Sequence, residues 1–135
     1  MNKHEQDLNF GLSQEDHLLH TIQQKYPNVI KTNLHSPIDY ECKDYVIELK
    51  SRRCKHTTYP STMISKSKID FMLTSSKKGV CLFNFVDGLY EIEITPQVID
   101  KFECGYTGRT DRGRKEYNLY YFIPRELLNI FGIQI

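Results

Sequence analysis

The chain of 135 residues has no apolar run approaching the ~20 residues that a membrane-spanning helix needs. Its opening, M-N-K-H-E-Q-D, also lacks the apolar core of a secretory signal. Both absences predict a soluble, intracellular protein, in the cytoplasm or nucleoid, or in the host cell if the source is viral. Cysteine is sparse: Cys42, Cys54, Cys81 and Cys104 stand far apart with no C-x-x-C pair, which predicts buried or free thiols. A zinc site from Cys42, Cys54 and His56 would match no recurrent ligand spacing. Only seven Gly and five Pro are present, which argues against disorder. There is no internal repeat, low-complexity tract or glycine-rich nucleotide fingerprint, so repeat architectures and phosphate-cradling loops have no support.

What is present suits one globular domain over residues 1–135, with 39% hydrophobic and 26% charged residues and 16 aromatics, nine Tyr and seven Phe. The net charge of +1 hides an asymmetry. Residues 50–78 carry eight basic side chains (Lys50, Arg52, Arg53, Lys55, Lys66, Lys68, Lys77, Lys78) against Asp70, a local +7. Residues 87–103 carry five acids against Lys101, a local −4. Such polarity fits either one polyanion-facing side or a solvated basic surface.

The most informative stretch is residues 36–53, S-P-I-D-Y-E-C-K-D-Y-V-I-E-L-K-S-R-R. Asp39 opens a short extended segment, and Glu48 stands two residues before Lys50 on the next one. Strand side chains alternate, so Val46, Glu48 and Lys50 share one face while Tyr45, Ile47 and Leu49 share the other. Two separated carboxylates can hold a hard divalent cation such as Mg²⁺, and a neighbouring ammonium can steady a hydroxide or a developing phosphorane charge. Phosphodiester hydrolysis needs those parts. A solvated Glu–Lys pair is the simpler alternative for the tripeptide taken alone.

Along the chain, residues 1–12 are polar with an isolated Phe10 and predict a frayed or weakly docked start. Ser13 predicts an N-cap, and Leu18, Leu19, Ile22 and Tyr26 form an amphipathic helical stripe ending before Pro27, with Glu15 in the first turn. A first-turn acid is favoured by the macrodipole alone. Residues 28–33 predict a strand, and 37–42 with 45–52 a hairpin turning at Lys43-Asp44. Glu41 lies two residues from Asp39 and shares its face, so it is open between the site and solvent. A helix is predicted over 61–76, entered after Pro60 and left at Gly79. Ile64, Lys68, Phe71 and Met72 fall on its inner stripe, whereas Lys66 faces outward. Lys68 then either snorkels to solvent or serves an anion at the sheet. Residues 79–86 read as a strand buried on both faces, 89–94 as an alternating outer strand, and 96–102 as a short helix. A flexible Gly- and Arg-rich loop over 105–116, with Arg109, Arg112 and Arg114, suits phosphate contacts or a plain hairpin loop. A strand over 117–123 and a helix over 124–131 close the chain.

Asp39, eight intervening residues and then Glu48-Leu49-Lys50 resemble the motif of the PD-(D/E)xK nuclease superfamily, although Pro37 falls one residue early. The run E-L-K-S-R is similar to that of archaeal-type Holliday junction resolvases. So is Gly11-Leu12-Ser13-Gln14-Glu15, which matches their G-x-x-x-E. The resemblance implies an α/β restriction-endonuclease-like core in the order αβββαββ, a mixed central sheet flanked by helices. It implies a Mg²⁺-dependent DNA endonuclease, with Mn²⁺ as a substitute, acting as a homodimer in the resolvase case. Asp39, Glu48, the Leu49 carbonyl and Glu15 would bind metal, and Lys50 would orient or deprotonate the water. Lys68 would stand near the cleaved phosphate, and Arg52, Arg53, Lys55, Lys66, Arg109, Arg112 and Arg114 would hold the DNA backbone. A restriction or homing-type endonuclease on the same core, and a non-catalytic DNA-binding or interaction module, remain open beside it.

Overall fold

The computed structural model describes residues 2–33, 35–109 and 116–132. The first element is a helix of 23 residues, α1 (Lys3–Lys25), capped by Asn2, whose side-chain oxygen accepts the Glu5 N–H at 2.8 Å. The polar start is therefore helical rather than frayed, Ser13 lies inside the helix instead of capping it, and Glu15 sits in its middle. The anticipated stripe does face a sheet: Leu18, Leu19, Ile22 and Tyr26 pack against Ile47, Leu49, Val80 and Leu82.

Two short strands, β1 (Ile30–Lys31) and β2 (Tyr40–Glu41), lead into β3 (Tyr45–Ser51). Both are shorter than the runs that predicted them, and Asp39 stands just outside the ladder. After β3 comes a strand that the sequence reading took for helix, β4 (Ser61–Ser65), and only then α2 (Lys66–Thr74). Alternating Thr62 and Ile64 pair across to Ile123 and Tyr121, and that partner, some sixty residues away, decides the conformation. Within α2 the buried residues are Ile69 and Met72, while Phe71 is exposed. Gly79 is not the exit of this helix. It lies in β5 (Lys78–Phe85), where Met72 packs so closely that an added Cβ would stand 2.7 Å from the Met72 Cβ.

The remaining elements are β6 (Gly88–Ile94), α3 (Pro96–Ile99), β7 (Glu103–Arg109), β8 (Glu116–Pro124), a 3₁₀ turn over Arg125–Leu127, and β9 (Asn129–Ile130). Two expectations change here. The supposed loop is strand from Glu103 to Arg109, and the supposed closing helix is a 3₁₀ turn followed by a strand paired with β6. The protein is mixed α/β. One sheet runs β1-β2-β3-β5-β6-β9, with β3 and β5 parallel and the other pairs antiparallel; a second, antiparallel sheet runs β4-β8-β7. Strand β5 buries both faces, with Val80 and Leu82 toward α1 and Cys81, Phe83 and Phe85 toward α2 and the second sheet. No helix among the described residues is long and apolar enough to cross a membrane.

Candidate active site

The alternation of β3 sorts its side chains by face. Ile47 and Leu49 lie beneath α1, Val46 joins the core on the α2 side, and Glu48 and Lys50 follow Val46 by the two-residue period. Glu48 is only 1% exposed and, among the described residues, is the one charged side chain that is buried. Its Oε2 stands 3.4 Å from Lys50 Nζ and 3.6 Å from Lys68 Nζ, so a lysine on the strand and a lysine on α2 converge on a single oxygen. Lys68 also donates to the carbonyl of Pro37, which ties α2 to the segment that carries Asp39. The inward placement of Lys68 matches its position on the helical stripe.

Asp39 is fixed from the other side. The ladder between β2 and β3 stops at Tyr40, and the Asp39 carboxylate takes over by accepting the Leu49 N–H at 2.8 Å. The carbonyls of Tyr45 and Ile47 accept from Cys42 and Asp39 along that edge, and the alternation of strand groups turns the Leu49 carbonyl toward it too. From α1, Glu15 reaches the same place. Its pKa is raised by burial first, then by a hydrogen bond to Asp39 and the Asp39 charge, with Lys31 opposing. Three carboxylates from three elements therefore influence one another directly.

Glu48 is perturbed as well. Burial pushes its pKa up to about 7; the Lys50 and Lys68 ammoniums pull it down and the Asp39 charge pushes it up. Its second oxygen, Oε1, is buried without a hydrogen-bond partner. Leaving such an acceptor unpaired is costly, and a divalent cation beside Asp39 would satisfy it. Among the described residues no three His, Cys, Asp or Glu side chains form a ready-made metal cage. The donor set that fits a hard cation is thus two carboxylates and a carbonyl, with water and phosphate completing the shell.

The other anticipated residues are placed differently. Glu41 pairs with Lys77 at 3.7 Å rather than turning to the acids. Arg52 donates to the Met63 carbonyl at 2.6 Å, and Arg53 donates to the Gln6 carbonyl at 3.2 Å and lies over the Phe10 ring. Lys66 pairs with Asp70 at 2.7 Å, and Lys55 is exposed. Arg109 ends β7, its side chain outside the described set, and Arg112 and Arg114 lie outside the described residues. Two participants were missed. Lys31 binds Asp16 at 2.7 Å beside Glu15, and the fully buried Tyr40 donates its hydroxyl to the Glu15 carbonyl at 2.5 Å. Tyr40, next to Asp39 and on the opposite face, was the readable signal.

Comparison with protein-family models, with curated proteins and with solved structures found no match.

Proposed function

We propose that the chain is a metal-dependent endonuclease of PD-(D/E)xK type that hydrolyses phosphodiester bonds in DNA, using Mg²⁺ or Mn²⁺. The observation that carries this reading is the buried Glu48, one oxygen shared by Lys50 and Lys68 and the other unpaired, in a carboxyl group that feels the Asp39 charge. Asp39, Glu48 and the Leu49 carbonyl would hold the cation, with Glu15 as a further ligand once deprotonated. When bound, the cation polarises the phosphate and lowers the pKa of a water. Lys50 would orient that water by donating to it, and Lys68, held at the edge of the acids, would face the phosphate charge. Support for the fold family comes from the parallel β3–β5 pair joined through α2, with α1 on the opposite face. Strand β4, inserted before α2, is an addition to that core.

The direct test is cleavage of a supercoiled plasmid and a four-way junction with and without Mg²⁺. Cutting that needs the metal and disappears in Asp39→Ala and Glu48→Ala is expected. Undiminished nicking by both variants overturns the reading. Preference for the junction over a linear duplex of the same sequence identifies a resolvase-like, two-fold enzyme, and equal cutting places it among other endonucleases of this core.

One observation favours a second reading, a non-catalytic nucleic-acid-binding module. Two lysines within 3.4 and 3.6 Å of Glu48 neutralise its charge without any metal. Calorimetry separates the two: Mg²⁺ or Mn²⁺ binding that is lost in Asp39→Asn supports the nuclease, and no binding supports the module.

A further inference from the structure

Beyond the end of β3 the chain builds a second feature, a cleft of about 430 Å³ between the main sheet and the β4–β8 pair. Its walls carry the aromatic faces of Tyr59, Phe85 and Phe122 and the ring of His56. Its cationic groups are Arg52, Lys55 and Arg125, and among the described residues no Asp or Glu lines it. Arg125 donates to the Thr57 carbonyl at 2.6 Å, which uses one of the five N–H donors that a guanidinium carries. Tyr59 is 63% exposed, a large aromatic side chain left open at the mouth.

His56 is held rigidly in the wall. Asp87 accepts its backbone N–H at 2.9 Å and meets Nδ1 at 2.5 Å, and the ring stacks on Tyr90 with centroids 4.5 Å apart. Nε2 is then the ring nitrogen that looks away from Asp87. Aromatic faces for stacking, one fixed polar ring and a cationic border are the chemistry that recognises a nucleobase together with its phosphates. A base in a duplex is stacked on both sides and offers only its edges, so such a cleft suits a base that has left the stack.

We propose that this cleft receives an unpaired nucleobase of the nucleic acid whose backbone the acidic site cleaves. The inference rests on the nuclease reading for its setting. Arg52 follows Glu48 by four residues, about 13 Å along an extended strand, close to the axial span of four base-pair steps at about 3.4 Å each. The recognised base therefore lies within about four nucleotides of the phosphate held at Glu48. The enzyme would select discontinuities such as flaps, bulges or junction corners rather than uninterrupted duplex.

The test uses binding in EDTA, where no cutting occurs. Two DNA duplexes are compared, identical except that one carries a single unpaired 2-aminopurine. The wild-type protein is expected to bind the unpaired probe about tenfold more tightly, the order of one base–aromatic stack, and to quench its fluorescence. Tyr59→Ala, at an exposed position, should lose that preference while binding the paired duplex unchanged, and Tyr59→Trp should keep it. Equal wild-type affinity for both probes overturns the proposal, as does equal weakening of both by Tyr59→Ala. Failure of the nuclease reading shows up separately: a wild-type protein that keeps the preference but cleaves nothing with Mg²⁺ retains the cleft and loses the nuclease. Asp39→Ala should retain the preference and lose cleavage.

Discussion

Asp39 caps the backbone of Leu49: its carboxylate accepts the Leu49 N–H at 2.8 Å where the two-residue β2 no longer reaches. One side chain thus serves both the sheet and the proposed metal. Asp39→Ala leaves a part-buried N–H without its acceptor and should cost about 1–2 kcal/mol in urea unfolding. Asp39→Asn keeps an oxygen to accept that bond and should cost less, yet it should abolish cleavage as completely as alanine does. A variant that loses activity only in proportion to its stability would show that the carboxylate charge has no part in the reaction.

Glu48 gives the metal-free protein a pH-dependent stability. Its folded pKa of about 7 lies above the 4.5 of an unperturbed Glu, so the folded state holds the proton more tightly than the unfolded state does. The stability it contributes is fully present below pH 4.5 and is lost as pH rises through about 7. The loss is on the order of 3 kcal/mol. The raised Glu15 acts in the same direction. Chemical denaturation in EDTA at pH 5 and pH 8 should show the decline, and Glu48→Gln should flatten it. Mg²⁺ should raise the melting temperature more at pH 8 than at pH 5, because ligand carboxylates must be deprotonated to bind.

Much of this was legible in residues 36–53, because β3 alternates and its acidic and basic positions fall on one face. Strand β5 was legible for the opposite reason, being buried on both faces over most of its length and so mostly apolar. The first ten residues of α1 were not. They carry no apolar stripe, and what shapes them is the Asn2 cap and contacts from Arg53, more than forty residues away. Strand β4 and the terminal β9 were misjudged because their conformations are set by distant partners, β8 and β6, that no local propensity reveals. Tyr40 beside Asp39 was a readable position, but its partner was not, since its hydroxyl meets a carbonyl on α1 and not a side chain.

Lys68 links three parts of the site, from α2 to the Pro37 carbonyl and to Glu48. Lys68→Met keeps much of the stem packing and removes the charge. Cleavage should fall by at least about a hundredfold, the order seen when one transition-state donor is removed. The pKa of Glu48 should rise further, because one of the two ammoniums that lower it is gone. Single-turnover rates across pH, together with NMR titration of the Glu48 carboxyl carbon, would read both effects.

Gly79 marks a close approach of α2 to the sheet. Gly79→Ala places a methyl group 2.7 Å from the Met72 Cβ and 3.0 Å from its Cγ, too near for either to remain where it is. Overpacking of this kind should cost about 1–3 kcal/mol. The shift should also move Lys68, one turn away on the same helix, so activity should fall more than the loss of stability accounts for. Met72→Gly in the same molecule removes the clashing Cβ and should restore part of the activity lost beyond the stability effect, which a double-mutant cycle in thermal unfolding and cleavage would detect.

The parallel pairing of β3 with β5 has a consequence for the order in which the protein matures during synthesis. Every residue of the acidic site lies between Glu15 and Lys68, and β5, which completes its floor, ends at Phe85. The cleft that holds Tyr59 instead waits for Phe122 and Arg125, and β4 stays unpaired until β8 has been made. Chains emerge amino terminus first. The proposed reactive centre can therefore take shape while the cleft proposed to choose its substrate is still missing.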